Sequence, residues 1–181
     1  MRAGIPTAIL SLLAVSSASG LETVKVARFT KAPIPACRTV LVRAESPDLT
    51  GFHGPVPSSI TDDLRLVGTD VQQQLAKALQ GAGFDAKTEP ASCQPCDLTI
   101  SFRVTEGQVK VRTIKVKGLG GLGYYAPENL ALDFQYVHGS LGLLGRVRAK
   151  LTSTDKERVK LLVDEIAEFT AARVARKGGN P

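Results

Sequence analysis

Three cysteines, two histidines and a glycine-rich run are the residues of this 181-residue chain whose types and spacing could do chemistry. Cys93-Gln94-Pro95-Cys96 has the spacing of a redox dithiol. Such a pair draws its reactivity from the positive end of a following helix, which stabilises the thiolate. Here an alternating, strand-like run follows from Leu98, so a structural bridge is the first reading and thiol–disulfide exchange the alternative. Three cysteines cannot all pair. Cys37 directly precedes one expected strand and Cys96 another expected beside it, so a bridge from Cys37 to Cys93 or Cys96 would clip two strand starts; the short Cys93 to Cys96 loop is the other choice. Zinc would need a fourth ligand, and His53 and His138 are poorly spaced to supply it, so no metal or cofactor is expected.

Gly118-Leu119-Gly120-Gly121-Leu122-Gly123 formally matches the glycine spacing of a dinucleotide site. That motif works because a helix N-terminus follows and aims free amides at a pyrophosphate. Here Tyr124-Tyr125-Ala126-Pro127 follows and leads to another strand, so the run reads as a bend or loop tip. With Leu119, Leu122, Tyr124 and Tyr125 it is apolar and aromatic, suited to contact a partner or a lipid, and Gly139 to Gly145 resembles it in composition. Serine lacks a Gly-x-Ser-x-Gly setting, and the acid pairs Asp62-Asp63 and Asp164-Glu165 sit at a helix start and on a helix flank, where capping and solvation explain them. No enzyme is expected.

The remaining chemistry is charge. If Leu98, Ile100, Phe102, Val109, Val111, Leu130, Leu132, Phe134, Val147 and Leu151 form the apolar face of a sheet, the other face displays Arg103, Lys110, Arg112, Lys115, Lys117, Arg146, Arg148 and Lys150, opposed by Asp133. This grouping requires a β-bulge where the polar parity slips at Thr113-Ile114. Cations so placed could collect phosphate or carboxylate groups of an anionic lipid or glycan, or an acidic envelope partner. Nucleic acid is not expected, since no aromatics interleave with these cations.

The elements that must position them follow from periodicity. Leu21 to Cys37 is a lead-in holding Val24-Lys25-Val26-Ala27-Arg28-Phe29, an edge strand or an arm. Thr39 to Glu45 reads as the first core strand, closed by Ser46-Pro47-Asp48. Thr61-Asp62-Asp63 caps a helix carrying Leu64, Val67, Val71, Leu75 and Leu79 on one stripe, which Gly68 could split and which Gly81 and Gly83 end. Leu98 to Thr105, Val109 to Lys117, Leu130 to Tyr136 and Val147 to Leu151 read as strands, with Glu106-Gly107-Gln108 as the first turn. Thr154-Asp155-Lys156-Glu157 opens a second helix with Val159, Leu162, Val163, Ile166 and Phe169 on its stripe. The order β-α-β-β-β-β-α predicts a two-layer α/β sandwich, two helices on one face of a mainly antiparallel sheet of four to five strands, as one domain over 38–177 with a loose tail at 178–181.

Residues 1–20 have the plan of a signal peptide: Arg2, an apolar run from Ala3 to Val15, and small residues for cleavage before Ser19 or Leu21. No cysteine closes that run, so a soluble periplasmic or secreted product is expected. Cleavage would leave 22 Lys and Arg against 17 Asp and Glu, a charge of +5. The element order, over about Arg38 to Lys177, resembles that of small bacterial envelope proteins, most nearly the lipopolysaccharide-assembly lipoproteins that plug an outer-membrane barrel. Gly51-Phe52-His53 is similar to a Gly-Phe-His stretch of that family, though here it follows the first strand. The resemblance implies a sheet that meets anionic glycolipid, and no functional residue is carried over from it.

Overall fold

Val40, Leu41 and Val42 are consecutive, β-branched or apolar and all buried, the mark of a strand in the interior of a sheet. The computed structural model describes residues 23–53, 56–90, 95–118 and 120–174; the leader at 1–20, Cys93, Leu119 and the tail at 178–181 lie outside them. Within these residues the chain runs β1 (Thr23–Phe29), β2 (Thr39–Ala44), a 3-10 turn (Leu49–Gly51), β3 (Phe52–His53), α1 (Ser58–Gly81), β4 (Asp85–Lys87), β5 (Leu98–Val116), β6 (Gly120–His138), β7 (Gly142–Leu151) and α2 (Lys156–Arg173).

Among the described residues the sheet has seven strands, in the order β1-β7-β6-β5-β2-β4, with β3 paired to β5 off that path. The β1–β7, β5–β6 and β6–β7 ladders are antiparallel, and β2 runs parallel to both β4 and β5. The expected count of four to five strands is therefore corrected. Glu106-Gly107-Gln108 does not reverse the chain, and the two runs on either side of it form one strand of 19 residues. Register shifts on both sides of Glu106 bend that strand instead. Gly107 permits the bend: a Cβ there would stand 2.8 Å from both Leu130 Cδ2 and Phe52 Cε1. The glycine-rich run is likewise mostly strand, since the chain reverses at Lys117-Gly118 and β6 begins at Gly120. Positive φ at Gly118 (86°) and Gly120 (78°) shapes this reversal.

Both helices cover one face of the sheet. Helix α1 packs on β2, β4 and β6, and α2 on β1 and β7. α1 starts at Ser58, ahead of the expected Thr61 cap, because Ile60 is fully buried and extends the stripe by a turn. Gly68 does not split it; the residue is buried where a Cβ would meet Ala44 Cβ at 3.6 Å. α2 is capped by Asp155, whose carboxylate accepts from Arg158 N at 3.0 Å. Between the layers, Phe102 stacks on Phe134 at 5.0 Å, and Tyr136 meets Phe29 edge-on at 5.3 Å. The Tyr136 hydroxyl lies 3.0 Å from Thr170 Oγ1, which itself donates to Ile166 O at 2.8 Å, so Tyr136 is the donor. Burial raises this phenol above its ordinary ionisation range.

The starts of β2 and β5 are clipped together by a carboxylate. Asp97 Oδ2 accepts from Arg38 N at 2.7 Å, Thr39 N at 3.0 Å and Thr39 Oγ1 at 3.1 Å, while Asp97 N donates back to Thr39 Oγ1 at 3.0 Å. Cys37 is a buried thiol whose Sγ donates to Pro35 O at 3.4 Å, so the expected bridge from Cys37 to Cys93 or Cys96 is not formed. The clip's task falls to Asp97 and Thr39.

Candidate functional site

The sheet face away from the helices is read row by row from the pairing register. In one row Arg43 of β2 stands beside Ser101, Ser101 beside Gln135, Gln135 beside Arg146, and Arg146 beside Arg28 of β1. Arg28, Arg43 and Arg146 are exposed, and none is ion-paired among the described residues. Arg28 and Arg146 are directly opposite each other across a ladder, an arrangement in which like charges destabilise the sheet. The next row repeats it with Lys25 opposite Arg148.

That second row is largely neutralised. Arg148 pairs with Glu106 and lies 3.9 Å from Asp133, and Arg103 Nε lies 3.6 Å from Glu45 Oε2. Lys150 stands next to Ala131 in a third row and lines a cleft of about 270 Å³ with His53, Glu106 and Asn129 at the bend of β5. On the far side of the arginine row are exposed apolar side chains, Val137 and Leu143, which are register partners, and Leu141 in the turn between them. A positive row with an apolar border is thus presented to solvent.

The other expected cations lie elsewhere. Among the described residues, the β5–β6 hairpin beyond Gln108 and Glu128 is paired only to itself, an arm of about 27 Å for the eight residues Val109 to Val116. The Thr113-Ile114 bulge is absent: Thr113 pairs with Gly123 and Ile114 with Leu122 in unbroken register. Parity therefore puts Lys110 and Arg112 on one face of the arm and Lys115 on the other, while Lys117 sits in the turn. Val109 and Val111 belong to the same face as Lys115; Val109 packs against the core but Val111 is 65% exposed, which corrects its expected place in the apolar layer.

Lys110 and Arg112 are held at the arm's root by Glu128, Lys110 at 2.7 Å from Oε2 and Arg112 on Oε1. The Lys110 hydrogen bond, opposed by burial and helped by Arg112, holds this carboxyl below its ordinary range. Toward the tip Leu122, Tyr124 and Tyr125 are exposed, and they stand on a strand and not in a loop. Leu119 lies outside the described residues.

Of the eight expected cations the structure brings Arg103, Arg146, Arg148 and Lys150 onto one face and separates Lys110, Arg112, Lys115 and Lys117 from them. It adds Lys25, Arg28 and Arg43. Alternation alone gives the outward positions of Lys25 and Arg43, but only the β1–β7 and β2–β5 pairings bring them to Arg146. Among the described residues no group of three or more His, Cys, Asp or Glu is arranged to hold a metal ion.

No protein-family model and no curated protein matches this chain. Among solved structures it is similar to a PelC dodecamer subunit from Paraburkholderia phytofirmans, at 15% identity and a TM-score of 0.44 over 86% of this chain and all of that one. It is also similar to a PDZ domain protein from Parabacteroides distasonis, at 12% identity and a TM-score of 0.41 over 88% of this chain and 38% of that one. Likeness at this level assigns no function, and the site rests on its own geometry.

Proposed function

We propose that the chain is an exported, non-enzymatic envelope protein that binds an anionic lipid or glycolipid on the open face of its sheet. The arginine row supports this reading. Two cross-strand pairs of like charge, Arg28 with Arg146 and Lys25 with Arg148, sit side by side, and the first has no acid to relieve it among the described residues. A phosphate or carboxylate bound between two guanidinium groups would turn that repulsion into a pair of charge-assisted hydrogen bonds. The apolar border of Val137, Leu141 and Leu143 gives the attached hydrocarbon a surface to lie on, which favours a lipid over a purely polar glycan. Export rests on the signal-peptide plan of residues 1–20.

The test is co-sedimentation of the mature chain with anionic and with zwitterionic vesicles at low and high salt. Pelleting with anionic vesicles alone, suppressed by salt and lost in the Arg28→Glu, Arg146→Glu double variant, is the expected result. Equal pelleting of wild type and double variant would overturn the assignment of the site, and no pelleting under any condition would overturn the function.

A further inference from the structure

The two strands of the arm are unlike in charge. Lys110, Arg112 and Lys115 all lie on the β5 strand, with Lys117 in the turn, whereas β6 carries no charge from Gly120 to Ala126. Charged side chains are what keep an open sheet edge from accepting another strand, so the β5 edge is protected and the β6 edge is not. Among the described residues that edge is open, since the pairing of β7 to β6 ends at Leu130 with Leu151. Both faces of the arm carry exposed apolar side chains beside these cations, Val111 and Tyr125 on one, Ile114, Leu122 and Tyr124 on the other. A two-stranded ribbon of this kind has little stability in water by itself.

We infer that the β6 edge of the arm pairs with the same edge of a second copy of this chain, independently of the lipid proposal. The uncharged run from Gly120 to Ala126 is bounded by the turn at one end and by Pro127 and Glu128 at the other, and its centre is Gly123. An antiparallel two-fold pairing about Gly123 uses the whole run. It sets Leu122 opposite Tyr124 and Gly121 opposite Tyr125 of the other copy, an aromatic over a glycine that has no side chain of its own. The cation-bearing β5 strands then lie on the outside of a four-stranded ribbon, away from each other. Pairing through the β5 edge would instead oppose the lysines and arginines of two equally charged copies, so charge selects the edge, and the run's fit to itself about Gly123 is what favours a second copy.

Gly123 gives a clean perturbation. A Cβ there would meet Val111 Cγ1 at 3.6 Å, ordinary contact, so a side chain can be added without disturbing the arm. Sedimentation velocity of the mature chain across a concentration series is expected to show a monomer–dimer equilibrium. Gly123→Lys and Gly123→Glu, which each bring two like charges together at the two-fold axis, are expected to weaken it about tenfold or more. An equimolar mixture of the two variants is expected to associate again as a heterodimer, because only at this axis does residue 123 face itself. Leu66→Lys, an exposed change on α1, is expected to leave association unaltered. A wild-type chain that stays monomeric, an association indifferent to charge at position 123, or a mixture that fails to recover would each overturn the inference.

Discussion

Replacing Arg146 by Glu should make the protein more stable and less able to bind an anion, and the opposed signs are what a ligand site in the arginine row requires. Arg146 faces Arg28 directly across the β1–β7 ladder. A like-charged cross-strand pair destabilises, and an opposite pair stabilises, by about 0.2–1 kcal/mol each, so reversal removes one and supplies the other. Both side chains are exposed, and solvent screening brings the combined gain to about 0.5–1 kcal/mol. Near the melting temperature this is an upward shift of roughly 1–4 °C, smaller at 1 M salt, where the screening length falls to about 3 Å. Binding moves the other way. Each cation at an anionic surface contributes about 1 kcal/mol, so a reversal costs about 2 kcal/mol, roughly 30-fold in affinity. Arg146→Gln should fall midway in both assays. Thermal unfolding at two salt concentrations, with vesicle pelleting of the same samples, reads both signs. A variant destabilised by about 1 kcal/mol or more would refute the argument, because Arg146 would then hold the sheet together and the row would be structural.

Asp97→Ala should cost about 2–3 kcal/mol in urea unfolding, since three donors on the β2 start lose a charged acceptor; a loss under about 1 kcal/mol would show that the clip is incidental. Glu128 has its ionised form favoured by folding, so its contribution is complete above its ordinary 4.5 and is lost as the pH falls below that value. Thermal unfolding between about pH 6 and about pH 3 should therefore slope less in Glu128→Gln than in wild type, with part of the slope kept by Asp48 and Asp155, whose carboxyls are also lowered; parallel curves would contradict the Lys110 and Arg112 pairing. Peptide mapping of the oxidised protein without reduction should join Cys93 to Cys96, with Cys37 alkylated only after denaturation; a linked Cys37 would contradict its place as a buried thiol.

Much of the two-layer plan could be read from periodicity because a helix stripe and a strand alternation are local. The buried stripes of α1 and α2 fall on Leu64, Val71, Leu75, Leu79, Val159, Leu162, Val163 and Ile166, as the spacing predicts. Of the two readings left open for Val24 to Phe29, an edge strand or an arm, the strand is the one found, as β1 on β7. The bend at Gly107 was not. A glycine between two apolar runs reads equally as a turn or as a bulge, and only Phe52 and Leu130, distant in sequence, decide between them. That ambiguity carried over to the cations, because a bulge placed at Thr113 and not at Glu106 moves Lys115 to the opposite side. The site itself could be read only in halves: Arg146 was visible in β7, while Arg28 and Arg43 became part of it through pairings between strands that no local pattern specifies.

The pairing of β1 with β7 joins the first of the described strands to the last. A chain crossing a membrane N-terminus first would hold β1 without a partner until β7 had emerged, because closing so long a loop is entropically deferred and slow. The Arg28–Arg146 pair therefore forms only once both strands are present. On the lipid-binding proposal, affinity for an anionic surface would be completed only as the last act of folding, when Arg28 meets Arg146.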